Sequence, residues 1–175
     1  MVKTTCFRSS RTGNSCKFTA LFLAFSWFGG LILGMMFVNA TATFFVPLMR
    51  GAAAGTVSIC GLLASAFLPF FLSGLAALYC RPLVYFICFL KAFSYGCNVH
   101  GVALAFGNSS WLIRPLLLFS DSLLVPILYL YWLRVLSGDH GLRARELGMS
   151  LIWTAAVVTL DLSFVSPFLT GLMRK

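Results

Sequence analysis

The chain has 175 residues, 60% of them hydrophobic and only 10% charged, with a mean hydropathy of +0.95. Soluble domains carry about 25% charged residues, and disordered chains combine low hydrophobicity with high net charge; both classes are excluded, and a polytopic membrane protein remains. The net charge of +9, thirteen Lys and Arg against four Asp and Glu, then belongs to loops held by the positive-inside rule and by anionic lipid, and no basic stretch interleaved with aromatics points to nucleic acid as a partner.

Residues 1–17 are polar and basic, with Lys3, Arg8, Arg11 and Lys17 and no acid. They read as a cytoplasmic tail. A membrane-crossing helix needs about 20 mostly apolar residues, and five such runs follow, at 18–38, 57–79, 83–107, 115–136 and 148–169. The runs are continuous, whereas the strands of a membrane barrel alternate. The predicted fold is therefore all-α: one transmembrane helical bundle over residues 18–170, with a short tail at 171–175.

The first run competes with a signal peptide, since Ala40-Thr41-Ala42 resembles a cleavage site. Its length exceeds the 7–15 residues typical of a signal core, which favours a retained helix. Gly30-Leu-Ile-Leu-Gly34 inside it has the GxxxG spacing that lets another helix approach closely. Residues 39–56 form a loop with an aromatic-apolar middle, Phe44 to Met49, suited to lying at the interface. The second run contains Pro69 and is separated from the third by Cys80-Arg81-Pro82. The third is longer than the hydrocarbon core requires, so it tilts or breaks, and its second half is polar for a lipid-facing helix, with Tyr95, Asn98 and His100 beside Gly96 and Gly101. Asn108-Ser109-Ser110 opens the next loop. The fourth run carries Asp121 and Pro126, residues 137–147 form a polar loop, and the fifth run holds Asp161 and Ser166-Pro167.

Five spans place Lys3, Arg8, Arg11, Lys17, Arg81, Arg134, Arg143 and Arg145 on one side and Arg50, Arg114, Arg174 and Lys175 on the other. This asymmetry predicts a cytoplasmic N-terminus. No internal repeat of the inverted-transporter kind stands out.

Charges within the membrane carry the most information, since each costs roughly 2.5–3.5 kcal/mol at mid-span on insertion scales. Lys91, Asp121 and Asp161 fall inside the third, fourth and fifth runs. Such groups face the bundle and pair, so Lys91 is predicted to neutralise Asp121, Asp161 or both. At about 100° per residue, Lys91, Tyr95 and Asn98 share a helix face, giving an intramembrane polar network of Lys91, Tyr95, Asn98, Asp121 and Asp161. His100 points elsewhere and reads as a hydrogen-bonded core histidine. Gly30, Gly34, Gly96 and Gly101 are the candidate helix-packing positions.

The network is either a polar staple holding the last three spans together or an ion relay or small-substrate pocket. The enzyme classes find no inventory here. There are two His and few, dispersed acids, no His-Glu-x-x-His, no Gly-x-Ser-x-Gly elbow and no Gly-Lys-Ser/Thr phosphate loop. Of six cysteines, Cys60, Cys88 and Cys97 lie in apolar runs, where Cys is a small hydrophobe. Cys6 and Cys16 lack zinc-site spacing. No catalytic residue, metal or cofactor is expected.

The order of these features resembles the stage II sporulation protein M family, a bacterial five-span membrane family. The resemblance rests on Trp27-Phe-Gly-Gly-Leu-Ile-Leu-Gly34 ending in Asn39, on Leu83 through Lys91-Ala92-Phe93 to Gly96, on Ser122-Leu-Leu-Val-Pro126, and on Asp161 followed by Ser166-Pro167. The family has Lys-Gly where this chain has Lys91-Ala92, and a longer outer segment than residues 39–56. The resemblance implies a non-enzymatic scaffold of the bacterial cell membrane. It implies recruitment of peptidoglycan-remodelling partners, stage II sporulation proteins D and P, at the septal membrane during engulfment. The competing expectation is a small substrate-binding transporter subunit that depends on a separate ATPase.

Overall fold

The computed structural model describes residues 9–44, 46–47, 59–106, 115, 118–137 and 140–168. Within these there is no strand. The elements are α1 (Ser9–Ala40), α2 (Ile59–Tyr79), α3 (Arg81–Phe106), α4 (Phe119–Ser137) and α5 (His140–Leu160), which runs directly into a π-helical turn, Asp161–Val165.

Among the described residues, four segments are long and apolar enough to cross a membrane: Lys17–Ala40, Pro82–Phe106, Phe119–Leu136 and Arg145–Phe168. Within α2, Leu63–Ala77 is a shorter apolar helix. The exterior is apolar as well as the core. Phe18, Phe22, Phe25, Phe28, Ile32 and Met36 of α1 are all exposed, spaced along one helix face. A surface of this kind is stable facing lipid and not water.

Helices and predicted spans differ at several ends. α1 begins at Ser9, well before the apolar run at residue 18, because extending an existing helix is far easier than nucleating one. The third run is a single unbroken helix. The fourth apolar run begins at residue 115, whereas α4 starts at Phe119, with Pro115 helical and 116–117 outside the described residues. The predicted loop at 137–147 is the largest correction. From His140 onward it is the start of α5. Leu142-Arg-Ala-Arg-Glu-Leu147 consists of strong helix formers, and Glu146 pairs with Arg134 across the α4–α5 hairpin. Of the predicted loop at 39–56, residues 42–44 and 46–47 are helical. The remainder from 48, the 108–110 loop, Asp139, Cys6 and the C-terminal tail lie outside the described residues.

The Arg134–Glu146 pair is a hairpin clasp of small energetic weight. The Arg134 side chain is 58% exposed, and pairs this accessible are worth about 0–1 kcal/mol. Glu146→Gln is expected to change unfolding stability by less than about 1 kcal/mol, measured by equilibrium unfolding in mixed micelles.

Among the described residues two clusters form the core, the larger of them rich in aromatics. The larger joins Leu23 of α1, Phe70 of α2, Val84 and Cys88 of α3, and Leu128, Tyr131, Trp132 and Val135 of α4. The Phe70 and Tyr131 rings pack tilted at 5.3 Å between centroids, and those of Trp132 and Trp27 likewise at 6.4 Å. The smaller joins Ala66, Leu124, Val157 and Val158. Two buried hydroxyls are satisfied within their own helices, Ser73 donating to the Pro69 carbonyl at 2.5 Å and Thr154 to the Ser150 carbonyl at 2.8 Å, and the buried Tyr131 hydroxyl donates across to the Phe70 carbonyl of α2. Without water in the bilayer core, such local satisfaction is what lets a polar side chain remain there.

Candidate functional site

α1 and α3 run parallel and touch backbone to backbone. Three contacts step along both helices in the same direction. The Cys88 thiol lies 3.9 Å from the Leu23 carbonyl, the Cys97 thiol 3.4 Å from the Gly34 carbonyl, and His100 Nε2 2.7 Å from Asn39 Oδ1. Between them lies a seam of small residues. A Cβ on Gly30 would overlap the Phe89 carbonyl oxygen and stand 3.0 Å from Ala92 Cβ; one on Gly34 would overlap the Phe93 oxygen, 3.0 Å from the Cys97 nitrogen. A Cβ on Gly96 would overlap the Leu31 oxygen. The GxxxG of α1 therefore meets Ala92 and Gly96, themselves four apart, so that each helix fits its small residues to the other's backbone. Gly101 is also buried in α3.

This approach positions the polar face of α3. Lys91 Nζ donates to Asp121 Oδ1 at 3.0 Å, and Asn98 Nδ2 donates to Oδ2 of the same carboxylate at 3.1 Å. Two helical turns of α3 thus converge on one acid. Tyr95, between them, shares a hydrogen bond of 3.1 Å with Ser122 and packs against Trp27 at 6.2 Å. The Lys91 and Asp121 side chains are 10% and 22% exposed. Asp121 occupies the first turn of α4, where unpaired backbone N–H groups and the helix dipole favour a carboxylate. The charge is therefore held from two directions, by α3 side chains and by the start of its own helix.

Asp161 is brought near this cluster but not into it. It is 8% exposed, on the π turn, which packs against α4. Among the described residues it has no ion pair or side-chain hydrogen bond. Lys91 pairs with Asp121 and leaves Asp161 aside. His100 sits apart, bonded to Asn39, and the His140 side chain is outside the described residues.

Three participants carry too little signal in the sequence to be found there. Ser122 is one hydroxyl beside a charge. Asn39 is one amide at a helix end. The π turn at Asp161 leaves no compositional trace, although such turns recur at functional sites.

An apolar groove of about 310 Å³ opens between α1 and α4, lined by Ala24, Trp27, Phe28, Val125, Pro126 and Tyr129. Among the described residues no three His, Cys, Asp or Glu side chains converge as a metal site requires. The arrangement can hold helices in register and shelter charge. No protein-family model, no curated protein and no solved structure matches this chain.

Proposed function

We propose that this protein is a non-enzymatic multi-pass scaffold of the bacterial cell membrane, with five spans and a cytoplasmic N-terminus. The observation that carries the reading is the Lys91–Asp121–Asn98 cluster. The α3 and α4 charges are consumed by each other inside the bundle, while the outward faces are apolar. That is the economy of a staple. The fifth span is α2: Ile59–Tyr79 has 21 residues, which at 1.5 Å per residue is about 30 Å, the thickness of the hydrocarbon core.

The resemblance to the stage II sporulation protein M family supplies the partner class, peptidoglycan-remodelling proteins of the septal membrane such as stage II sporulation proteins D and P. The test is affinity purification of the tagged protein from membranes of its own host, followed by mass spectrometry. Wall-remodelling proteins are the expected co-purifying species. A second reading, a transporter subunit dependent on a separate ATPase, is favoured by Asp161, which is buried and has no ion pair among the described residues. Stoichiometric recovery of a cytoplasmic ATPase, with no wall-remodelling protein, would replace the scaffold reading by that one.

A further inference from the structure

The charges of the described helices are sorted by end. α1 and α3 run parallel. Val84 and Cys88 near the start of α3 pack with Tyr131 and Val135 near the end of α4, so α4 returns antiparallel and α5 sets out again from the same surface. That surface gathers the starts of α1, α3 and α5 and the end of α4. Among the described residues, Arg11, Lys17, Arg81, Arg134, Arg143 and Arg145 lie at this end, against the single acid Glu146. The remaining described base, Lys91, is deep in α3 and bonded to Asp121. The described part of the opposite end has no Lys or Arg.

The groove between α1 and α4 opens beneath the basic surface. Lys17 is exposed, and at about 100° per residue it shares a helix face with Leu21, Ala24 and Phe28. Ala24 and Phe28 line the groove. Seven residues of helix at 1.5 Å each set Ala24 about 10 Å deeper than Lys17. Ala24 makes the hollow, because its methyl group is small where Trp27, Phe28 and Tyr129 form the rim. The walls are fixed from behind. Trp27 packs against Tyr95 at 6.2 Å and Trp132 at 6.4 Å, and the Tyr129 hydroxyl donates to the Ala20 carbonyl at 3.4 Å. At roughly 30 Å³ for a water-sized group, the groove's 310 Å³ take about ten methylenes, most of one acyl chain. Apolar walls alone do not choose among lipids, since any tail is as apolar as the groove. The choice falls to the headgroup, and a basic surface favours an acidic one.

We infer that the groove seats one acidic phospholipid, with its phosphate at Lys17 and one acyl chain along Ala24, Trp27, Phe28, Val125 and Pro126. The step of about 10 Å from Lys17 to Ala24 spans the headgroup layer, about 5–7 Å on each side of the hydrocarbon core, and the first methylenes below it. A lipid so held seals α1 against α4. The site serves a scaffold and a transport subunit alike, so it stands apart from the choice between them.

The test is native mass spectrometry of the full chain released from micelles that hold equal amounts of phosphatidylglycerol and phosphatidylcholine. One retained lipid is expected, with phosphatidylglycerol favoured roughly five-fold, the preference one basic side chain gives at a membrane surface. Lys17→Gln brings the ratio close to one, and Ala24→Phe, which fills the groove, removes the retained lipid. Arg145→Gln, on a helix that packs on α2 and α4, changes neither. Equal retention of the two lipids by the wild type, or a wild-type result from either Lys17→Gln or Ala24→Phe, would overturn the proposal. So would a lipid-free dimer, in which a second copy covers the groove. If Ala24→Phe does not fold, lipids with brominated acyl chains decide. Brominated phosphatidylglycerol is expected to quench Trp27, read as the difference between wild type and Trp27→Phe, more strongly than brominated phosphatidylcholine does. Equal quenching by the two would count against the site.

Discussion

Replacing Gly34 by alanine is expected to destabilise the bundle by about 3 kcal/mol or more, and by leucine to abolish folding. Overpacking a core usually costs about 1–3 kcal/mol because side chains can turn aside. At Gly34 the obstacles are the Phe93 carbonyl oxygen and the Cys97 nitrogen, and backbone has no rotamer to adopt. The whole of α3 must move, and it carries Lys91, Tyr95 and Asn98 with it. Gly30→Ala and Gly96→Ala meet the Phe89 and Leu31 carbonyls in the same way. Gly148→Ala is the matched control, because nothing lies within 4 Å of its Cβ position. There the helix propensity of alanine stabilises by roughly 0.5–1 kcal/mol. Equilibrium unfolding in mixed micelles compares the series. Equal effects at Gly34 and Gly148 would mean that the α1–α3 backbones do not touch.

The second large effect is expected at Lys91. Lys91→Met leaves Asp121 with only Asn98 and its own helix start to hold a charge. Removing one member of a buried pair costs about 3–5 kcal/mol. The lower end, about 3 kcal/mol, applies here because the Asp121 side chain is 22% exposed and the dipole of α4 continues to favour it. The double variant Lys91→Met/Asp121→Leu is expected to recover most of the loss, as apolar replacement of both partners often does. It also separates the two functional readings. For a scaffold, activity follows abundance, so the double variant works. A double variant that is stable, abundant and inactive would show the charges to be part of a transport path.

Much of this site can be read from residues alone, for a definite reason. In a chain this apolar, a charge within a run is conspicuous, and Lys91, Asp121 and Asp161 stand out against the leucines and phenylalanines around them. The spacing of Lys91 and Asn98 likewise puts them on one face of α3. Which acid takes the lysine is a matter of depth and helix crossing, and these depend on where Gly30, Gly34, Ala92 and Gly96 let two backbones meet. GxxxG marks α1 as a close-packing helix without saying that its partner is α3. The polar stretch after Ser137 is a different case. Polarity there marks the exit from the membrane, but Arg143, Ala144, Arg145 and Glu146 are helix formers in water as well, so the helix does not end where the lipid does. The π turn lies beyond sequence reasoning altogether, since an extra residue in one helical turn follows from packing and not from composition.

The seam between α1 and α3 also bears on how the protein is made. Gly34 and Cys97 are 63 residues apart in the chain, and membrane insertion proceeds from the N-terminus. α1 therefore enters the bilayer well before its partner has been synthesised, with its glycine notch lined by lipid tails. It can persist in that state because its apolar segment, Lys17–Ala40, is the most hydrophobic of the four membrane-length segments. α3 and α4, which bring Lys91 and Asp121, are the least hydrophobic and have most to gain from arriving at a helix already in place. Association within the membrane follows insertion as a separate stage. The first span thus serves as a docking post, and the later, more polar spans complete their own entry by settling against it.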